Sequence, residues 1–219
     1  MPLNKDDVIK ALNKLRGISK KRNFSQSVDL QISLKRTDVK KPENQINEFI
    51  VLPFGVGKKV SVAAFVDKEL VEAAKKVFNE VIPKDSFAQY AANKRSVQRL
   101  VRRHKFFIAQ ANIMPDVAKT FGRYLGPKGR MPNPKAGCVV PPKAELLEPT
   151  FNKLQKTVNV KLKNEPTINV MIGVESQRDD ELAENAVVVY NLVESKLPRG
   201  ADQLGGAFIK FTMSESVRI

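Results

Sequence analysis

The sequence predicts an α/β protein of two domains: a split domain with a mainly antiparallel sheet, formed by both chain ends, and a parallel α/β domain inserted within it. Three observations carry this. Residues 27–36, "SVDLQISLKR", alternate Val28, Leu30, Ile32 and Leu34 with Asp29, Gln31, Ser33 and Lys35, the pattern of a half-exposed strand most naturally paired antiparallel. In the middle of the chain, "KKVSVAAFV" and "KFFIAQA" are nearly continuous apolar runs separated by helical stretches, as in βαβ units whose parallel sheet is covered on both faces. The alternating texture then returns at Val158, Val160 and Leu162. The simplest reading is a nested chain, with residues 1–54 and 156–219 forming the split domain and residues 55–155 a Rossmann-like insert. One continuous mixed sheet is the competing arrangement.

The elements follow in order. Asn4 can cap a first helix, Asp6 and Asp7 suit the positive end of its dipole, and Val8, Leu12, Leu15 and Ile18 keep helical spacing. A basic break at 20–24 leads to the strand at 27–36, and "NEFIVLP" forms a second strand before Gly55 and Gly57. The insert reads as a strand at 58–66, a helix at 68–78, a short strand "EVIP", helix over 93–105, a strand at 105–111 and a helix "PDVAKTFGRYLG". A glycine- and proline-rich basic loop and a helix "AELLEPTFNKLQK" complete it. "TVNVKLK", "TINVMIGV", a helix at 179–196 and a terminal strand "AFIKFTM" close the split domain.

Charge narrows the function. The 219 residues carry 38 Lys plus Arg against 23 Asp plus Glu, a net charge of +15, and this favours a polyanionic partner. No apolar run has the length of a membrane span, and the N-terminus lacks a secretory signal pattern, so a cytoplasmic protein without a membrane partner is expected. Cys138 and His104 are the single cysteine and the single histidine, which excludes an intramolecular disulfide framework and a cysteine metal cluster and leaves few ways to assemble a histidine metal site or triad. His104 reads as a surface or partly packed imidazole. No cofactor is expected. Asp179 and Asp180, at a helix start, read as dipole partners.

The loop "FGRYLGPKGRMPNPKAG", 121–137, has the composition of a phosphate cradle. It nevertheless fails the Walker pattern, because Arg130 and Met131 stand where Lys and Ser or Thr are required. It also follows a helix rather than a strand, unlike a dinucleotide fingerprint, and Pro132 and Pro134 argue against helix there. A nucleotide-binding enzyme using 122–137 is kept as the alternative reading. Basic clusters at 20–22, 35–41 and 93–105, together with this loop, are suited to phosphate contacts. "RNFSQS" and "FTMSES" offer short hydroxyls beside Phe24 and Met213, a chemistry that fits ribose hydroxyls and phosphates of structured RNA; ordinary turn chemistry explains the same residues.

The segments "LGPKGRMPNPKAG", "RNFSQSVDL", "KPENQI", "VLPFGVGK", "AQANIMPDVAKTFGRYLG" and "FTMSESVRI" resemble, in order and across essentially the whole chain, the large-subunit ribosomal protein one family, in its archaeal form. The resemblance implies a nested two-domain protein with a flexible hinge, a structural constituent of the large ribosomal subunit. It implies binding to 23S rRNA in the mobile lateral stalk and help in moving and releasing deacylated tRNA from the exit site. It further implies repression of translation through the protein's own mRNA, a monomeric free state and a cytoplasmic, ribosomal location. The residues it assigns to rRNA are Phe24, Ser27, Thr212, Met213 and Ser214, with Gln26, Lys35, Lys161 and Lys163 behind them. Lys128, Arg130 and Lys135 of the glycine loop are secondary RNA-facing residues. The chain departs from the family at Ser214 and Glu215, where Gly-Pro is usual; this puts in question a turn that needs glycine and adds a negative charge.

Overall fold

A computed structural model describes residues 3–35, 37–39, 41–163 and 165–219. In chain order the elements are α1 (Lys5–Ile18), β1 (Ser27–Leu34), β2 (Ile46–Val51), β3 (Val62–Val66), α2 (Val71–Val77), β4 (Glu80–Pro83), α3 (Phe87–Ala92), α4 (Lys94–Arg103) and β5 (Phe106–Gln110). They continue as α5 (Met114–Leu125), β6 (Val139–Val140), α6 (Leu147–Gln155), β7 (Thr157–Leu162), β8 (Thr167–Val174), α7 (Asp179–Lys196), β9 (Leu204–Phe211) and β10 (Val217–Arg218). The chain divides into two compact units, Met1–Lys58 with Lys156–Ile219, and Lys59–Gln155. Residues 55–58 lie with the first unit.

The first unit holds a four-stranded sheet in the order β10-β9-β1-β8 and a two-stranded β2-β7 ladder, with antiparallel pairing throughout. Alternation decides which face of β1 is inside: Val28, Leu30, Ile32 and Leu34 are buried, and the residues between them are half-exposed. The same core takes Val8, Leu12 and Leu15 from α1 and Leu182, Ala186, Val189 and Val193 from α7. Asn185 of α7 is buried with its amide fully used. It donates to the carbonyls of Ile172 and Gly55 at 2.9 and 3.1 Å and accepts from the Phe54 N–H at 3.3 Å. A polar group can sit in an apolar helix face when every bond is made. Two expectations for α1 need correction. Asn4 stands at the N-cap without a side-chain bond, and Ile18 is exposed, since the chain leaves the helix at Ser19.

The second unit has a parallel sheet in the order β4-β3-β5-β6. Every residue of β3 and β5 is buried, as their unbroken apolar sequences require. Phe65 packs on Phe107, Phe87 and Phe121 with ring centroids 4.7–5.8 Å apart, so α3 and α5 cover one face of the sheet. The strand expected over 58–66 begins only at Val62. The two-residue strand β6 and the closing strand β10 lie in stretches too short for a periodic signal, so the last strand is β10 and not "AFIKFTM". Three separate sheets replace the competing single mixed sheet.

Candidate nucleic-acid interface

The antiparallel register of β1 and β9 sets Val28 opposite Phe211. The start of one strand therefore meets the end of the other, and Gln26 and Ser27 lie beside Thr212 and Met213 although they come from opposite chain ends, with Phe24 two residues before this contact. Reciprocal bonds lock them: the Ser27 N–H donates to the Thr212 hydroxyl at 3.0 Å, and the Thr212 N–H donates to the Ser27 carbonyl at 3.1 Å. Phe24 and Met213 are 51% and 59% exposed, large apolar side chains held in water on this surface. Exposed apolar groups beside hydroxyls are what a contact surface presents and a folding core does not.

Lys58 donates to the Ser27 hydroxyl at 2.9 Å and adds a cation to the surface. The carboxyl of Asp29 is pushed above the usual range by partial burial, against the opposing pull of Lys210 and Lys58. Ser214 closes its own turn. Its hydroxyl accepts from the Phe211 N–H at 2.9 Å and donates to the Glu215 carbonyl at 2.9 Å, so a side chain satisfies backbone groups in a turn that contains no glycine.

Gln26, expected among the contacts, is fully buried and acts as a brace. Its side-chain oxygen accepts from the Met213 N–H at 3.1 Å, its side-chain nitrogen reaches the Ser19 hydroxyl at 3.5 Å, and its carbonyl accepts from the Glu175 N–H at 2.9 Å. A buried amide that spans three segments fixes their relative height. Arg16 does the same from α1. Its guanidinium grips Asp179 at 2.7 Å, donates to the carbonyls of Glu175 and Gln177, and lies 6.0 Å from the ring centroid of Phe211. Sequence gave no sign of either role, because a glutamine before a strand and an arginine near a helix end read as solvated.

The remaining candidates separate. Along β1, Ser27 pairs with Val174 at one end and Ser33 with Thr167 at the other, about 20 Å apart at a strand's rise. The Leu34 N–H bonds the Pro166 carbonyl, which puts Lys35 at the far end of this sheet, while the exposed Lys161 lies in β7 of the separate β2-β7 ladder and the exposed Lys163 just after it. They do not flank the Phe24–Met213 surface. Arg36 and Lys40 of the 35–41 cluster lie outside the described residues.

In the second unit the glycine loop is a helix terminator. The Arg130 N–H donates to the Leu125 carbonyl at 3.0 Å and the Gly129 N–H to Gly126 at 2.9 Å, the paired bonds of a Schellman motif with Gly129 at φ 63° in the left-handed position. One 3-10 turn follows at Pro134–Ala136, started by Pro134 and capped by the Asn133 side chain, so proline begins a short helical turn here. Arg130 is engaged within the protein: its guanidinium donates to the carbonyls of Val101 and His104, at 2.9 Å for the latter. Lys128 and Lys135 are exposed.

His104 is fully buried, not superficial. Its ring lies 2.7 Å from the Ser61 hydroxyl and 2.8 Å from the Glu80 carboxylate. Among the described residues no group of His, Cys, Asp and Glu could hold a metal ion, and no helix is long and apolar enough to cross a membrane.

A model of the ribosomal protein L1p/L10e family matches residues 12–215. The chain is 37% identical over 219 residues to the large ribosomal subunit protein uL1 of Pyrococcus abyssi, covering 100% of this chain and 98% of that one. It is 39% identical to the protein of the same name from Thermococcus kodakarensis, covering 100% and 99%. For the one from Methanothermobacter thermautotrophicus the identity is 37% over 214 residues, covering 97% and 98%. A family match over most of the length, joined to full-length relatives at this identity, places the chain in the ribosomal protein L1p/L10e family.

Proposed function

We propose that the protein is a structural constituent of the large ribosomal subunit, in the cytoplasm, and that the first unit binds 23S rRNA of the lateral stalk through the Phe24–Ser27 and Thr212–Ser214 segments. The observation that carries this reading is the reciprocal Ser27–Thr212 bonding, which makes one rigid surface of two chain ends and leaves Phe24 and Met213 exposed on it. Rigid hydroxyls and backbone groups fit the 2′-hydroxyls and phosphates of folded RNA, while Lys58 and the net charge of +15 supply attraction. The same surface would take a similar fold in the protein's own mRNA and repress its translation. Bound in the stalk as a single copy, the protein would assist movement and release of exit-site tRNA.

Titration with a stalk RNA fragment tests the reading. Thr212→Val removes the hydroxyl that accepts from Ser27, and Met213→Ala removes the exposed apolar contact. Each should weaken binding by about 1–3 kcal/mol. Unchanged affinity in both variants, with the fold intact, would refute the assignment.

A further inference from the structure

In the second unit, α4, the end of α5 and the turn after it enclose a hollow of about 270 Å³. Arg102 faces it from α4, Arg123 and Tyr124 from α5, and Lys128 from the Schellman turn. All three cations are exposed, and none has a carboxylate partner among the described residues. Tyr124 is half-buried and packs against the core of this unit, which holds one wall of the hollow firm.

Basic residues in the last turn of a helix often serve its dipole and its unpaired carbonyls. Part of that role is taken here by other groups. Arg130 donates to the carbonyls of Val101 and His104 at the end of α4, and the Schellman bonds close the chain after α5. Helix-end chemistry also explains one helix at a time. It does not explain why guanidinia from two helices and an ammonium from a turn converge on one hollow, where their mutual repulsion opposes folding. An anion relieves that repulsion. Two planar guanidinium forks and an ammonium match the oxygens of a phosphodiester, and the tyrosine hydroxyl adds a donor.

The arrangement extends beyond the hollow. Arg95 and Arg99 precede Arg102 at helical spacing on α4, opposite the buried Val97, Leu100 and Val101, so a row of exposed guanidinia runs along the helix and ends at the hollow with Arg102, Arg99 also lining a neighbouring pocket with Glu80. A row of cations fits a chain of phosphates better than one isolated anion. We propose that this hollow and the α4 row hold the phosphodiester backbone of an RNA strand without reading its bases, giving the second unit an RNA contact of its own. This contact does not depend on the surface proposed for the first unit.

The test uses the full chain and a fluorescent oligouridylate, followed by anisotropy over a range of salt concentrations. Arg102→Gln, Arg123→Gln and Lys128→Gln are combined in one variant; Lys75→Gln, Lys76→Gln and Lys143→Gln, exposed cations of the same unit, form a control of equal charge. With about 0.7 counterions released per contacted phosphate of a single strand, the first variant should flatten the log–log salt slope by about 2. The control should leave the slope close to that of the parent. An unchanged slope in the first variant, or equal flattening in both, overturns the proposal. So does tight binding of inorganic phosphate that the first variant loses while its RNA slope stays intact, because the site would then serve a free anion. Thr212→Val is measured in parallel. Loss of preference for stalk RNA over oligouridylate in that variant reports on the first unit alone, so the two readings fail separately.

Discussion

At the scale of residues, what matters is whether a polar group is spent inside the protein or offered outward. Gln26 is spent: it holds Met213 and Ser19 through its side chain and Glu175 through its carbonyl. Gln26→Leu should strand the Met213 N–H and cost about 1–3 kcal/mol in urea unfolding, with a parallel loss of RNA affinity as the Met213 loop loosens. Normal stability and normal binding would show that the brace is dispensable. Cys138 illustrates the cost of burying a charge. Burial pushes its thiol up to about 11, against smaller opposing effects from the Asn133 backbone and Lys153. The folded value lies above the unfolded one, so the neutral thiol is favoured by folding. Stability tied to Cys138 is therefore intact below about pH 9 and falls as the pH rises toward 11. At neutral pH iodoacetamide should label Cys138 slowly in the native protein and quickly in denaturant; equal rates would contradict its burial.

At the scale of elements, the site depends on how closely β8 and α7 approach. A Cβ at Gly173 would stand 2.3 Å from the Gln177 side-chain oxygen and 2.4 Å from a methyl group of Leu182. Gln177 meanwhile accepts from the Val174 N–H at 3.0 Å, which orders the turn that carries Glu175 to Gln26. Gly173→Ala should therefore overpack this contact, destabilise the protein by about 1–3 kcal/mol in thermal or urea unfolding, and weaken stalk RNA binding. Retained stability would mean that the turn can yield. The elements were largely legible from period alone: α7 runs over 179–196 as its sequence indicates, and β1 alternates as read. What period could not reveal was β6 and β10, because two residues form no pattern, or the start of β3 at Val62 within a longer apolar run.

At the scale of the whole molecule, the protein is a structural ribosomal protein and not an enzyme, as its family implies. Its buried side chains form separate cores, one around β1, β8 and α7 and one around β3, β5 and α5. Each unit thus has its own source of cooperativity. Scanning calorimetry should give a calorimetric enthalpy larger than the van't Hoff enthalpy, the mark of more than one unfolding step; equal values would show a single cooperative molecule.

By itself the sequence determined the α/β class, the return of the alternating texture after an apolar middle, the cationic character and the family resemblance, because composition and period are local properties of the chain. It also drew attention to Phe24 and Met213 through the hydroxyl-rich segments around them, and that resemblance added Ser27 and Thr212. Tertiary structure decided which groups are spent and which are offered. It buried Gln26 and His104, turned Arg130 onto backbone carbonyls, set Lys35 at the far end of the β1 sheet and put Lys161 in a separate ladder. It also brought Arg102, Arg123 and Lys128 together around one hollow. Those outcomes depend on the register of β1 with β9 and on the packing of α4 beside α5. Such pairings join residues far apart in the chain, and no local pattern records them.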